Sequence, residues 1–323
     1  MTRKKQNGFS MAETLASLAI LAAVGGIVMS GMVQLMKTQG SIANRTDMHS
    51  SVRSATELLQ QEIGQAGRVS LGSPGANISL QAAINAGSTG TTSGFTLVAS
   101  DGSSIMVYPN EVLWVDVGIN QEAVTLTAGS GASGTAFFQN NHPAGAQVSA
   151  LGAFGTGVVP PVAAPTSYPN GSTDKILKLY GDINGDGNMV YVEYTCAPGT
   201  STAPGTLYRN QMSIAAGAKP AKDNTMVLLS NVLANPNDPN GNVVPCFAYQ
   251  VQPLGSSFCV TDVAVTLTVQ TQNKDQQTNQ FQPETKALLN VAPRNVVEVY
   301  DTASLVDPLR SQPMPATVTA LLP

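Results

Sequence analysis

Gly8-Phe9-Ser10-Met11-Ala12-Glu13-Thr14-Leu15 opens an apolar segment whose reading decides that of the whole chain. Arg3, Lys4 and Lys5 crowd ahead of it, and from Thr14 to Met36 no residue is charged, a run of 23 positions. As a helix rising roughly 1.5 Å per residue, that run reaches about 35 Å, enough to cross a bilayer. Cations on the N-terminal side keep that end in the cytoplasm and send the remaining chain across the membrane. A secretory signal peptide and a plain signal anchor share these features. The run exceeds an ordinary signal-peptide core and no good cleavage site follows it, although Gly25, Gly26 and Gly31 keep that reading open. Neither reading accounts for Glu13. A lone carboxylate inside an apolar segment is costly, and it marks function by default.

Beyond Met36 the pattern changes without a break. Lys37, Arg45, Asp47, Arg53, Glu57 and Glu62 enter, while Val52, Ala55, Leu59, Ile63 and Ala66 recur three or four apart. This is one amphipathic stripe. No proline precedes Pro74, so the spacing predicts a single helix from about Ser10 to Ala66, stopped near Gly64 or Gly67.

A short basic leader, Gly8, Phe9, three residues, Glu13 and an apolar helix together resemble the processing site of type IV prepilins and type II secretion pseudopilins. The resemblance implies cleavage between Gly8 and Phe9 by a prepilin peptidase and N-methylation of Phe9. It also implies a role for Glu13 in assembly, paired with a neighbour's terminal amine. Major pilins often carry a proline in the apolar half; Ser30 stands at that place here. Leu207-Tyr-Arg-Asn210, the stretch from Leu229 to Val232, Phe247-Ala-Tyr249, Asp262 to Val269 and Pro293-Arg-Asn295 resemble, in order, the C-terminal strands of PilW-type minor pilins. Residues 70–170 carry little of the likeness.

From about Val69 the composition turns to Gly, Ser, Thr, Asn and Pro between short β-prone runs. Those runs are 95–98, 105–108, 112–115, 123–126 and 136–138, then 176–180, 189–194, 226–229, 246–249, 263–269 and 296–299. Many short strands separated by turn residues predict an antiparallel β domain. With the long helix covering one sheet face, the class is α+β, pilin-like. The expected organisation is a leader 1–8, a transmembrane or filament-core helix 9–36, an amphipathic helix 37–67 and a β-rich periplasmic head 68–323; 155–172 is where that head would divide, though an undivided head is the leading expectation.

Asp182, Asn184, Asp186, Gly187, Asn188 and Glu193 match a calcium-loop spacing at every specified place. The flanks read as strands, so two readings stand: Ca²⁺ held by Asp182, Asn184, Asp186, Asn188 and Glu193, or a β-hairpin turn rich in residues that tolerate positive φ. Calcium is the one cofactor the sequence suggests. Of the three cysteines, Cys246 and Cys259 come opposite one another if 247–249 and 260–267 form a hairpin, with Cys196 left over or swapped in. Gly129-Ser-Gly131-Ala-Ser-Gly134 spells a dinucleotide fingerprint, but no helix follows it and a loop is expected. His49 and His142 are expected in solvent, and Trp114 in the core.

Across 323 residues, 42% hydrophobic and 11% charged with a net charge of -4, the composition excludes a disordered chain and offers no basic surplus for nucleic acid. No nucleophile and base stand in a catalytic pattern, so no enzyme is expected. The resemblance implies a minor pilin of a type IV pilus tip or priming complex, located first in the inner membrane and then in an extracellular filament. Implied partners are other pilins through the N-terminal helix, the peptidase, the inner membrane and the assembly platform. The competing expectations are a J-type pseudopilin and a tip adhesive or ligand-binding module.

Overall fold

The computed structural model describes residues 10–88, 90–162, 168–305 and 307–323. Helix α1 spans Met11–Gln65. Two compact units divide the chain: residues 1–50 with 270–283, and residues 51–269 with 284–323. Part of 155–172, where the sequence would divide the head, lies outside the described residues.

In the second unit α1 buries Val52, Ala55, Leu59 and Ile63, with Ala66 just beyond its end, the stripe that the spacing predicted. Gly67 ends the helix at φ +87°, where its N–H donates to the Tyr180 carbonyl at 2.9 Å. A Cβ there would sit 2.8 Å from the Phe154 carbonyl oxygen, so both conformation and space demand glycine.

Six strands follow: β1 Ile78–Leu80, β2 Ser93–Ala99, β3 Val112–Val115, β4 Glu122–Ser130, β5 Ser133–Ala136 and β6 Val148–Ala150. They form an antiparallel sheet in the order β1-β2-β5-β4-β3-β6. Its two edges meet, because Leu80 N–H donates to the Ala146 carbonyl at 2.9 Å and Gly145 N–H to the Leu80 carbonyl at 2.8 Å. The result is a small barrel, closed between β1 and the segment just before β6. Leu80, Leu97, Leu113, Leu126 and Phe138 are among the side chains that fill its interior. Ile105 and Val107 also enter that core, yet 105–108 is no strand: Val107 donates instead to Gly131 at the turn of the β4–β5 hairpin.

β7 Ala153–Phe154 precedes the larger sheet of β8 Ile176–Gly181, β9 Val190–Ala197, β10 Gly205–Ser213, β11 Val227–Leu233, β12 Phe247–Leu254, β13 Ser257–Gln270 and β14 Pro283–Val291. Its order is β12-β13-β11-β10-β9-β8, with β14 also on β13. Strand β9 is buried on both faces. Tyr194 on one face meets Glu62 of α1, while Tyr191 on the other packs with Val318 and Leu321 of α3, Ala316–Leu321. Helix α2, Arg294–Leu305, contains Val296-Val-Glu-Val299, so this β-prone run is helical and not a strand. Pro293 accepts the first helical hydrogen bond, from Val297, and Val296, Val299 and Ala303 turn inward at helical spacing. β15, Ser311–Gln312, pairs in parallel with β7. The class is α+β: one long apolar N-terminal helix and a large antiparallel β domain.

Candidate functional site

In the first unit, α1 is bare from Met11 to Met36. Leu15, Leu18, Ile20, Leu21, Val24, Ile27, Val28, Met29, Met32, Val33, Leu35 and Met36 are all at least half exposed. Apolar side chains cover every side of this stem, whereas a helix seated on a water-soluble core carries them as a stripe. The helix is long and apolar enough to span a membrane.

Glu13 stands in its first turn. Oε2 accepts the Ser10 N–H at 3.1 Å, and Ser10 Oγ accepts the Glu13 N–H at 3.2 Å. This reciprocal pair is a capping box, which satisfies two of the amides a helix start leaves unpaired. Ser10-Met-Ala-Glu13 is its sequence signature, so the signal was present but absorbed into the processing motif. Gly8 and Phe9 lie outside the described residues.

Immediately beyond the stem, residues 270–283 grip α1. Gln277 Nε2 donates to Thr38 Oγ1 at 3.0 Å, Ser41 Oγ donates to Asp275, Asn44 Nδ2 donates to the Asn273 carbonyl at 2.6 Å, and Arg45 donates to Gln282. Thr38, Ser41, Asn44 and Arg45 share one helix face by their spacing of three and four. The Ser41 hydroxyl and the Thr278 and Gln277 amides hold the Asp275 carboxyl down at about 2. This collar was not anticipated; the only signal was the run of polar residues at helical spacing after Met36.

The loop from Asp182 to Asn188 closes upon itself. Asp182 Oδ1 accepts the Asp186 and Gly187 amides at 3.0 and 3.3 Å, and Asp186 Oδ1 accepts the Asn188 amide at 2.9 Å. Asp182 is fully buried, with Arg68 Nε 3.6 Å from Oδ2. The expected fifth ligand is elsewhere: Glu193 lies inside β9, where Tyr191 OH at 3.0 Å and Lys219 Nζ at 2.7 Å bind its Oε2. Glu193 is the fourth residue of β9, and a strand cannot fold it back onto the loop as a helical flank does, so it does not stand with the other four expected ligands. Among the described residues, no group of three or more His, Cys, Asp or Glu side chains is arranged to hold a metal ion.

The disulfide joins Cys196 to Cys246, not Cys246 to Cys259. The β12–β13 hairpin does form, but its turn lies at 255–256, which pairs Cys259 with Gln252 and leaves Cys246 beside Thr266. Cys246 instead meets the end of β9, while Cys259 stays a buried thiol that burial pushes up to about 11.

Other expectations resolve locally. His142 is buried, not solvated, with Nδ1 3.1 Å from Asp116 Oδ2 and Nε2 2.7 Å from Glu122 Oε1. His49 is exposed and Trp114 is half-buried. The glycine-rich 129–134 segment is the β4–β5 hairpin: a Cβ on Gly129 would meet Tyr108 backbone at 2.9 Å, and one on Gly134 the Phe95 ring at 2.8 Å.

No family model, no curated protein and no solved structure matches this chain. The stem and its collar must therefore be interpreted from their own chemistry. A bare apolar rod capped at its start and clasped by polar groups at its far end can exchange lipid for the apolar surfaces of other helices, because neither environment asks it for hydrogen bonds.

Proposed function

We propose that the chain is a prepilin of the PilW minor-pilin type, inserted in the inner membrane and drawn into a type IV filament after its leader is removed. The observation that carries this reading is the stem: 23 uncharged residues from Thr14 to Met36, exposed on every side in the same helix whose C-terminal turns bury Leu59 and Ile63 against a β-rich head. Gly25, Gly26 and Gly31 leave open notches on the stem, sites where a neighbouring helix approaches closely. Glu13 then has two tasks. It caps its own helix, and in a filament core, where an unpaired carboxylate is unfavourable, it pairs with a neighbour's terminal amine and selects the register.

Mass spectrometry of the mature chain tests the processing step. A methylated Phe9 terminus is expected, and an intact Met1 terminus in peptidase-competent cells overturns it. A second reading, a binding module displayed at the filament tip, is favoured by the barrel at 78–150, which has a core of its own. Since side chains fill that interior, a ligand would engage the outer wall or the loops. Saturable binding by the intact chain, lost when barrel loops are exchanged, is the expected result for that reading.

A further inference from the structure

Lys178 on β8 stands opposite Glu193 on β9, and Glu193 opposite Asn210 on β10. The three side chains form one row on one sheet face, all buried, beside an apolar row of Tyr180, Tyr191 and Met212. Lys219, from the loop after β10, places Nζ 2.7 Å from Glu193 Oε2, while Lys178 Nζ lies 4.0 Å from the same oxygen. One carboxylate therefore faces two amines, leaving a surplus cation where burial penalises charge. Burial, with the Lys219 charge adding to it, pushes the Lys178 amine down. Lys178 Nζ also donates to the Asn170 carbonyl at 2.9 Å and to the Leu322 carbonyl, contacts that offset its burial. Among the described residues Lys219 Nζ bonds Glu193 and no such carbonyl, and its side chain is 22% exposed. Asn210 donates Nδ2 to the Pro220 carbonyl at 2.9 Å, next to Lys219 in sequence, while its buried Oδ1 has no hydrogen-bond partner among the described residues.

We propose that Lys219 and Asn210 condense into an intramolecular amide crosslink, with Glu193 carrying the proton. Lys219 Nζ passes a proton to Glu193 and its lone pair attacks Cγ of Asn210. The Cγ–Nδ2 bond breaks, Nδ2 takes the protons released from Nζ, one of them by way of Glu193, and it leaves as ammonium through the open side at Lys219. One C–N bond forms and one breaks, and nothing is oxidised or reduced. Glu193, 2.7 Å from Lys219 Nζ and opposite Asn210 across the ladder, holds both groups beside one acid–base side chain, which is what supplies the rate. The product also removes the charge imbalance, because Glu193 is left with Lys178 alone.

The test is the intact mass of the full chain, purified in detergent and denatured, followed by peptide mapping. The expected mass is one ammonia below that of the disulfide-bonded sequence counted from whichever N-terminus the peptide map finds, with a branched peptide joining Lys219 to Asn210. Glu193→Gln and Lys219→Arg should both restore the full mass. An unbranched wild type at full mass overturns the proposal. So does ammonia loss without a branch, as in a cyclic imide at Asn210, or a branch at Lys178. None of these outcomes depends on the chain being a pilin.

Discussion

Glu62 of α1 and Arg209 of β10 form a two-toothed ion pair inside the second unit, with Arg209 Nε 3.0 Å from Glu62 Oε1 and its Nη2 on the same oxygen. Tyr194 OH donates to the other carboxylate oxygen. Glu62 is 3% exposed, so removing one partner strands a charge in the interior. Arg209→Ala, which leaves Glu62 buried without its cation, should cost about 3 kcal/mol in the urea unfolding of the full chain in detergent. Adding Glu62→Ala should recover part of that loss, which a double-mutant cycle measures.

The Cys196–Cys246 bridge closes a loop of 50 residues. Constraining an unfolded chain over that length is worth about 4 kcal/mol in the loop-entropy account. Reductant should therefore lower the melting temperature, and Cys246→Ser should remove that sensitivity. Thiol counting separates the two pairings: a buried Cys259 resists alkylation in the native chain, and the unreduced denatured chain yields one thiol, located at Cys259.

The end of the long helix was legible because glycine at 67 and the stripe from Val52 to Ala66 report local rules that the packing obeys. Most strands were legible for the same reason. Val296 to Val299 misled because four residues, three of them valine, suit a strand as well as a helix, and only the burial of Ala303 a turn later decides. Barrel closure, the collar and the Cys196–Cys246 pair depend on contacts between residues far apart in sequence, which periodicity does not carry. In the calcium motif the spacing was legible, but the direction of Glu193 followed from β9, not from the motif.

Asp182 binds its own loop amides and faces Arg68, so its removal should destabilise the fold in the presence of a chelator. Asp182→Ala is expected to cost about 2 kcal/mol under those conditions. Thermal melts of parent and variant with EDTA check this; equal melting temperatures would show that the loop needs no such cap.

Glu111 is fully buried, and burial pushes its carboxyl up from 4.5 to about 8, while a Tyr108 amide hydrogen bond opposes the shift only in part. In the unfolded chain the group ionises near 4.5; in the folded chain it holds its proton to about 8. The contribution of Glu111 to stability is thus fullest below the lower value, declines as pH rises between the two, and is flat above the upper one. Glu111→Gln should flatten the fall in urea midpoint across that window. A parent and variant with parallel pH profiles would remove Glu111 as the cause.

Glu13 caps its own helix, and one substitution can separate that local role from the collective one proposed for it in a filament. Glutamine at the third helical position still accepts the Ser10 amide, so Glu13→Gln preserves the capping box. It removes only the charge. If the collective role holds, Glu13→Gln inserts in the membrane and is processed as the parent is, yet its amount in sheared filaments falls at least about tenfold, the effect of losing roughly 1.4 kcal/mol per subunit contact. Immunoblots of membrane and sheared fractions give both quantities. Ser10→Ala is the complement: it weakens the cap and keeps the charge, so it should incorporate nearly as the parent does. Equal loss in the two variants would mean that the cap alone is what assembly requires.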